Sequence, residues 1–204
     1  MEIDLETLSA NRAYHAMIRT VIPRPIAWVL SENDGGGYNL APFSYFNGVC
    51  SDPPLIMISV GRKPDGSHKD TRVNIEKRRD FVVHIAHEAL LEPLNRSSAA
   101  LPAGESEVDL LGLGLTPMAG SRLPRLADAR IALACELFQL QEIGPSSQAL
   151  ILGRVRRIYV HDDACSKDAE GRLVVHAERI APVARLGGAE YATFGEIRRL
   201  PRPR

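Results

Sequence analysis

The residues between Ser59 and Lys69 have the types and spacing of an anion-binding site. Ser59 lies near the end of an apolar run, and the basic pair Arg62 and Lys63 follows it. Lys69 precedes a predicted helix, and a helix N-terminus offers free N–H groups and the positive end of a dipole. Arginine can also hold a phosphate through two parallel hydrogen bonds. The pattern indicates a phosphate site, although a solvated loop followed by an ordinary helix cap would give the same pattern.

The segment Asn39–Asp52 is the second candidate. Its sequence, Asn-Leu-Ala-Pro-Phe-Ser-Tyr-Phe-Asn-Gly-Val-Cys-Ser-Asp, mixes strand-forming aromatic residues with Ser, Asn and Gly. It is too polar for a buried strand and too apolar for an ordinary loop. This composition is typical of a strand whose backbone and small side chains face a flat ligand. Cys50 within it is either a redox-active thiol or, as we favour, a small buried apolar residue.

Other catalytic patterns give no positive signal. The sequence has neither GxGxxG after a strand nor GxxxxGK[ST], and Gly35-Gly36-Gly37 is predicted to be a turn. His84 and His87 occur in His-Ile-Ala-His-Glu rather than in HExxH, so no metal site is predicted. There is no GxSxG sequence, although a hydrolytic triad assembled by the fold stays possible.

The elements that would position these residues are mostly strands. Apolar runs predict strands at Pro25–Ser31, Tyr38–Phe46, Leu55–Val60, Phe81–Ala86, Ile131–Gln141, Ala149–Val160 and Leu173–Val175, with Trp28 in the core and a hairpin loop at Gly144–Ser147. Short helices are predicted within Leu5–Arg19, Glu88–Ala100 and Glu105–Leu111, and one over Arg72–Arg79 with Asp70 or Thr71 as its N-cap. Strands arranged in hairpins favour an antiparallel barrel with peripheral helices over a doubly wound parallel sheet.

Composition limits the function classes. The chain has 204 residues, 45% of them hydrophobic, which is consistent with one domain over residues 1–204, a core at about 14–191 and a basic tail at 197–204. Its net charge of zero argues against a dedicated nucleic-acid binder. Three widely spaced cysteines do not form a disulfide or zinc-ribbon pattern. The sequence shows no signal peptide and no membrane-spanning apolar run, so we expect a cytoplasmic protein without membrane contact.

Taken in order, several strings resemble the flavin reductase-like proteins with an FMN-binding split barrel. The main matches are Arg24-Pro25-Ile26-Ala27-Trp28-Val29, Asn39 to Val49, Asp52-Pro53-Pro54, and Lys69-Asp70-Thr71 followed by Asn74-Ile75. Weaker matches are Ile151-Leu152-Gly153-Arg154-Val155 and Ala184-Arg185-Leu186-Gly187-Gly188 with Tyr191. The chain departs from the family at Cys50, where a small residue such as Ser is common, and at Glu107–Leu110, which lacks an acidic-then-aromatic string.

The resemblance implies a six-stranded antiparallel Greek-key barrel and a homodimer with one FMN per subunit near the interface. It implies that the isoalloxazine ring lies along Ser44–Ser51, with backbone N–H groups of Asn47–Cys50 at its pyrimidine edge. It also implies that the phosphate is held by the Ser59–Arg62 loop together with Lys69 and Thr71. The expected cofactor-binding residues are Ser44, Tyr45, Asn47, Gly48, Val49, Cys50, Ser51, Ser59, Gly61, Arg62, Lys69 and Thr71. Whether Tyr191 reaches the flavin is left open.

The function expected from the resemblance is hydride transfer from NADH or NADPH to FMN, with an unknown final electron acceptor. We assign no catalytic residue, because the cofactor supplies the chemistry of this step. One alternative is an FMN-binding electron carrier that is reduced by a protein donor. Another is a split-barrel protein that has lost its flavin.

Overall fold

A computed structural model describes residues 1–102, 104–144, 146, 148–201 and 203. Its strands are β1 (Arg24–Pro25), β2 (Ala27–Glu32), β3 (Tyr38–Phe43), β4 (Phe46–Ser51), β5 (Pro54–Val60), β6 (Asp80–Ile85), β7 (Leu115–Thr116), β8 (Arg125–Leu126), β9 (Ile131–Glu142), β10 (Ala149–Val160), β11 (Cys165–Lys167), β12 (Leu173–Val175), β13 (Ala184–Arg185) and β14 (Tyr191–Ala192). Its α-helices are α1 (Ala10–Thr20), α2 (Asp70–Arg78), α3 (Leu91–Arg96), α4 (Glu107–Leu110) and α5 (Ala177–Ile180). Three short 3₁₀ segments, Leu5–Thr7, Glu88–Leu90 and Asp162–Ala164, complete the regular structure of the described residues.

The main sheet is antiparallel, and its strands follow the order β3-β2-β6-β9-β10-β5-β4. The expected β architecture with peripheral helices is confirmed, but the expected count of six strands is wrong, because the described residues form seven strands in this sheet. The single strand predicted over Tyr38–Phe46 bends at Ser44 and Tyr45 and becomes β3 and β4. These two strands lie at opposite edges of the order, so the chain crosses from one edge to the other at Ser44.

Two apolar clusters cover the two faces of β2. Trp28 and Leu30 belong to one cluster, which α3 and α4 help to form, and Ala27 and Val29 belong to the other, together with Ile75 of α2. Because neighbouring strand residues point to opposite faces, covering both faces of β2 requires its first four residues, Ala27 to Leu30, all to be apolar. The core position predicted for Trp28 is confirmed, and its indole N–H donates to Ser97 Oγ at 2.8 Å.

The helices differ in several details from the sequence expectations. The turns expected within Leu5–Arg19 are a 3₁₀ segment at Leu5–Thr7 and the longer helix α1, whose N-cap is Ser9. Helix α2 begins at Asp70, and its N-cap is Lys69, so the predicted cap at Asp70 or Thr71 is wrong. Lys69 makes no side-chain capping bond. The strand at Leu173–Val175 is confirmed, whereas Pro145 and Ser147 of the predicted hairpin loop, and Arg202 and Arg204 of the predicted tail, lie outside the described residues.

His84 has a structural environment. It is fully buried in β6, where Nε2 accepts the N–H of Leu126 at 3.0 Å and Nδ1 donates to the carbonyl of Trp28 at 3.1 Å. Burial lowers the pKa of His84 to about 4, and the Trp28 carbonyl opposes this effect only in part. The histidine is therefore neutral, and its two hydrogen bonds join β6 to β2 and to β8.

No helix among the described residues is long and apolar enough to cross a membrane. In the same residues, no three His, Cys, Asp or Glu side chains come together in a way that could hold a metal ion.

Candidate functional site

Three adjoining spaces on one side of the sheet share Pro42, and together we call them the central crevice. The first has a volume of about 320 Å³ and runs from Ser44 and Tyr45 to Ser59 and Lys69. The second, about 140 Å³, lies on the other side of Lys69. The third, also about 140 Å³, extends from Ser44 to β13 and β14. The crevice thus begins where the chain crosses between the sheet edges and reaches the N-terminus of α2.

One end of the crevice is positively charged. Lys69 is half-buried and lies 5.7 Å from the centre of the Phe43 ring, measured from Nζ. Burial is the main cause that lowers the pKa of Lys69, and the neighbouring charge of Lys63 adds to it. Among the described residues no carboxylate forms an ion pair with Lys69, because Asp70 pairs with Lys63 at 2.8 Å. The charge of Asp70 opposes the fall in the pKa of Lys69 in part, but that carboxylate is paired with Lys63. A bound anion would give Lys69 the direct ion-pair partner that it lacks among the described residues.

Other groups at this end can donate to the same anion. Arg62 is exposed beside Lys69 and donates one bond, to the carbonyl of Gly66 at 3.1 Å. The hydroxyl of Ser59 donates to Gln148 Oε1 at 3.3 Å, and Gly61 approaches the same amide so closely that a Cβ would lie 3.0 Å from its Nε2. A glycine at this position therefore leaves room for Gln148 beside the crevice.

A buried polar network holds the start of α2 against the sheet. The amide of Asn39 donates to Thr71 Oγ1 at 2.8 Å, and the amide of Asn74 donates to Asn33 Oδ1 at 2.9 Å and to Ser31 Oγ at 3.2 Å. The Thr71 hydroxyl is thus an acceptor inside the protein, and Thr71 contributes its backbone at the helix N-terminus. The start of α2 has no side-chain cap, and Lys69, Asp70 and Thr71 there line the crevice. A helix N-terminus with free N–H groups is an arrangement that binds anions.

Glu107 closes the second space. It is buried, and its Oε2 accepts the N–H of Leu40 at 2.8 Å, so it satisfies a backbone group on the edge strand β3. Burial raises the pKa of the Glu107 carboxyl, and the bond from Leu40 opposes this effect. The segment that departs from the family pattern therefore forms a wall of the crevice.

Ser44 is held in place by Arg24. The guanidinium of Arg24 is buried and donates to Ser44 Oγ at 3.2 Å from Nε. Its other nitrogens donate to the carbonyls of Ile18 at 2.5 Å and Val21 at 2.6 Å, near the end of α1, and to that of Leu186 at 2.9 Å. A cation at a helix C-terminus is favourable because carbonyl groups lack partners there. Arg24 therefore joins α1, β13 and the start of the crevice.

The remaining predicted residues lie outside the crevice. Five consecutive residues of β4 are exposed on an edge strand that pairs with β5 on one side: Asn47, Gly48, Val49, Cys50 and Ser51. The expectation that Cys50 is a buried apolar residue is wrong, because its thiol is exposed and donates to the carbonyl of Pro53 at 3.1 Å. The structure thus gathers Ser44, Tyr45, Ser59, Gly61, Arg62, Lys69 and Thr71 at the crevice and leaves β4 as an open surface beside it.

A larger cavity, about 770 Å³, lies elsewhere among the described residues, between His87, Asp128 and Arg179. His87 Nε2 contacts the carbonyl of Asp128 at 3.0 Å, and Arg179 donates to the carbonyl of Asp163 at 2.8 Å. These side chains hold backbone segments together. The cavity shares no lining residue with the crevice, so its size alone does not make it the functional site.

One family model matches most of the chain. The family model described as "Flavin reductase like domain" matches residues 18–183, which include the crevice residues from Ser44 to Thr71. The chain belongs to the flavin reductase-like family. The match ends before β13 and β14, so Arg185 and Tyr191 of the third space lie outside the matched region.

Three solved structures are similar over nearly the whole length. Nitrilotriacetate monooxygenase component B from Bacillus cereus is 35% identical, with a TM-score of 0.89 and coverage of 98% of both chains. The 2-nitrobenzoate 2-nitroreductase NbaA of Pseudomonas fluorescens is 32% identical, with a TM-score of 0.88 over 100% of this chain and 96% of that one. A protein with a split barrel domain from Shewanella frigidimarina is 20% identical and shares the fold, with a TM-score of 0.83 over 100% of both chains. The fold of this chain is a flavin reductase-like split barrel.

Sequence reasoning missed several residues of the crevice. Gln148 follows a predicted loop and has no chemical signal of its own, although it lies beside Ser59 and Gly61. Arg24 was part of a matching string but carried no assigned role. Residues Tyr14 and Ile18 of α1 also line the first space, and only the packing of α1 brings them there.

Proposed function

We propose that this flavin reductase-like protein binds FMN and transfers hydride from NADH or NADPH to it. The observation that carries the proposal is Lys69, a half-buried cation without an ion-pair partner among the described residues, at the uncapped start of α2. A phosphate dianion would supply the missing counter-charge. Membership of the flavin reductase-like family supports a flavin phosphate as this anion.

The residues of the crevice fit FMN in charge and in shape. Arg62, Lys69, the Ser59 hydroxyl and the N–H groups at the start of α2 would hold the phosphate. The first space, at about 320 Å³, lies in the range of roughly 300–1,000 Å³ that organic ligands use. The ring would then continue past Ser44 along β4, an edge strand that pairs only with β5 among the described residues. The N–H of Gly48 donates to Asn47 Oδ1 at 2.8 Å, so the ring would be met by the other outward N–H groups of this segment.

The bound flavin would supply the hydride acceptor, and the protein binds and orients it. Arg24 fixes Ser44, so that its hydroxyl faces the crevice in one position. Pro42, Phe43 and Tyr45 line the crevice and limit the access of water beside the ring. No general acid or base is assigned, because hydride transfer to the ring requires none.

The final electron acceptor is a separate question, since the relatives differ in this respect. The Bacillus cereus relative is a component of a monooxygenase, and the Pseudomonas fluorescens relative is a nitroreductase. A second candidate function is an FMN-binding electron carrier that is reduced by a protein donor. The observation that favours it is the lack of a dinucleotide-binding GxGxxG in the sequence.

We also propose that the protein is a homodimer and that a partner subunit covers the flavin surface. Helix α1 has no buried residue, and Tyr14 and Met17 are 49% and 40% exposed. Val49 on the free edge of β4 is 50% exposed. Tyr14 also lines the first space of the crevice, and β4 follows directly after the lining residues Ser44 and Tyr45. Light scattering of the purified protein tests the dimer, and a monomer at all concentrations would contradict it.

The test of the function is a titration followed by turnover. The purified protein is titrated with FMN, and the consumption of NADH and NADPH is then measured with and without FMN. We expect saturable FMN binding and FMN-dependent oxidation of at least one nucleotide. FMN binding without nucleotide oxidation, but with reduction by a ferredoxin-type donor, would favour the electron carrier. A protein that neither binds FMN nor oxidises a nucleotide refutes both functions.

A further inference from the structure

The third space of the crevice has a chemistry of its own. It lies between Ser44 and the pair Arg185 and Tyr191, and we call it the Arg185–Tyr191 pocket. Ile26 and Leu94 contribute apolar surface to it. Its volume of about 140 Å³ is well below the roughly 300–1,000 Å³ of sites for larger organic ligands, so it suits a single ring.

The small sheet of β1, β13 and β14 builds this pocket. Arg185 is paired across the sheet with Arg24 on one side and with Tyr191 on the other. The Arg185 guanidinium lies over the Tyr191 ring, with 4.4 Å from Cζ to the ring centre, and the Tyr191 hydroxyl donates to Asn95 Oδ1 at 3.0 Å. The first contact stacks the guanidinium on the Tyr191 ring, and the second fixes the hydroxyl end of that ring, so both side chains are held in the pocket wall.

The pocket carries unbalanced positive charge. Arg24 and Arg185 face each other in the sheet, yet among the described residues neither forms an ion pair with a carboxylate. Arg24 uses its nitrogens on Ser44 and three carbonyl groups. Within the described part of the chain, Arg185 donates only to the carbonyl of Gly188, so most of its five N–H groups stay available. No acidic residue is among the described lining residues of this pocket.

We propose that the Arg185–Tyr191 pocket binds a small aromatic carboxylate next to the flavin ring. Arg185 would hold the carboxylate through its guanidinium, and Tyr191, Ile26 and Leu94 would contact the ring of the ligand. The placement next to the flavin rests on the proposed function, because Ser44 and Pro42 belong both to this pocket and to the first space. The pocket would thus determine that small aromatic carboxylates bind next to the flavin ring.

The test uses benzoate and benzamide as matched probes, because they differ in charge and hardly in shape. Their binding is measured by calorimetry on the FMN-saturated protein. We expect the unmodified protein to bind benzoate more tightly than benzamide. Arg185→Gln should weaken benzoate binding about tenfold or more, because a charge-assisted contact is lost, and should leave benzamide binding nearly the same. Arg172→Gln is the matched control, since Arg172 is an exposed arginine in the turn between β11 and β12, and it should bind both probes like the unmodified protein.

Two further variants keep the test decisive. Arg185→Lys keeps the positive charge but loses the planar guanidinium, so it should give an intermediate benzoate affinity. This variant takes the place of Arg185→Gln if Arg185→Gln does not fold. Tyr191→Leu should weaken both probes. The proposal is overturned if the unmodified protein binds benzamide as tightly as benzoate, or if both Arg185 variants keep full benzoate affinity. If FMN does not bind, the proposed function fails, and the same titration on the flavin-free protein still decides the assignment of benzoate to Arg185.

Discussion

Replacing Lys69 by methionine separates the binding role of its charge from any structural role. Methionine keeps most of the length and the apolar stem and removes the ammonium group. In the flavin-free protein this group is half-buried, its pKa is lowered mainly by burial, and no carboxylate among the described residues pairs with it. The charge of Lys69 therefore destabilises the flavin-free protein and increases the affinity for FMN.

The expected magnitudes follow from this asymmetry. A hydrogen bond to a charged group contributes about 1.5–3 kcal/mol, so Lys69→Met should raise the Kd for FMN roughly 10- to 150-fold. The free energy of unfolding without FMN should stay the same or rise, because a poorly solvated cation is removed. Lys77→Met is the matched control, since Lys77 is exposed and pairs with Asp34 at 2.8 Å, and a change there should alter stability by less than about 0.5 kcal/mol.

The assay is a fluorescence titration of FMN at several pH values, together with urea unfolding of the flavin-free protein. Because the pKa of Lys69 lies below its ordinary value of 10.5, FMN affinity should begin to fall at a correspondingly lower alkaline pH, and this fall should be absent in Lys69→Met. Arg62→Met combined with Lys69→Met should show a non-additive loss if both hold one phosphate. A Lys69→Met protein that binds FMN as tightly as the unmodified chain, or that loses stability without FMN, would refute the reasoning.

Three further predictions concern the scaffold. The free energy of unfolding should fall by up to about 3 kcal/mol as the pH is lowered from 6.5 to about 4, because the unfolded chain takes up a proton at His84 before the folded chain does. Urea unfolding at several pH values measures this fall, and it should be smaller in His84→Gln. Gly153→Ala should cost about 1–3 kcal/mol, since its Cβ would overlap the Phe81 ring, whereas Gly35→Ala, with open space around it, should cost much less; equal midpoints in urea would contradict this. Arg24→Lys should lower the unfolding free energy by at least about 2 kcal/mol, because lysine cannot replace the fork of contacts, and an unchanged melting temperature would argue against that role.

Much of the fold was predictable because strand signals are local. The continuous apolar run of β2 and the long runs of β9 and β10 carry their own periodicity and length, and the structure places strands there. The bend at Ser44 was not predictable, because Tyr38–Phe46 has strand propensity throughout and only the closing of the sheet decides where it must turn. The N-cap of α2 was missed for a similar reason. Asp70 has good capping chemistry, but its carboxylate pairs with Lys63, and α2 begins at Asp70, two residues before the predicted start at Arg72.

By itself, the sequence determined which residue types surround the site: the basic residues Arg62 and Lys69, the small polar residues of Asn39–Asp52, and the ordered strings that indicate the family. Only the tertiary structure decided which of them meet. It brings Ser44, Ser59 and Lys69 to one crevice, exposes Cys50 on an edge strand, and sets Arg185 beside Tyr191. The physical reason is that side-chain chemistry is carried by each residue, whereas distance, burial and the lack of an ion-pair partner arise from packing between segments far apart in the chain.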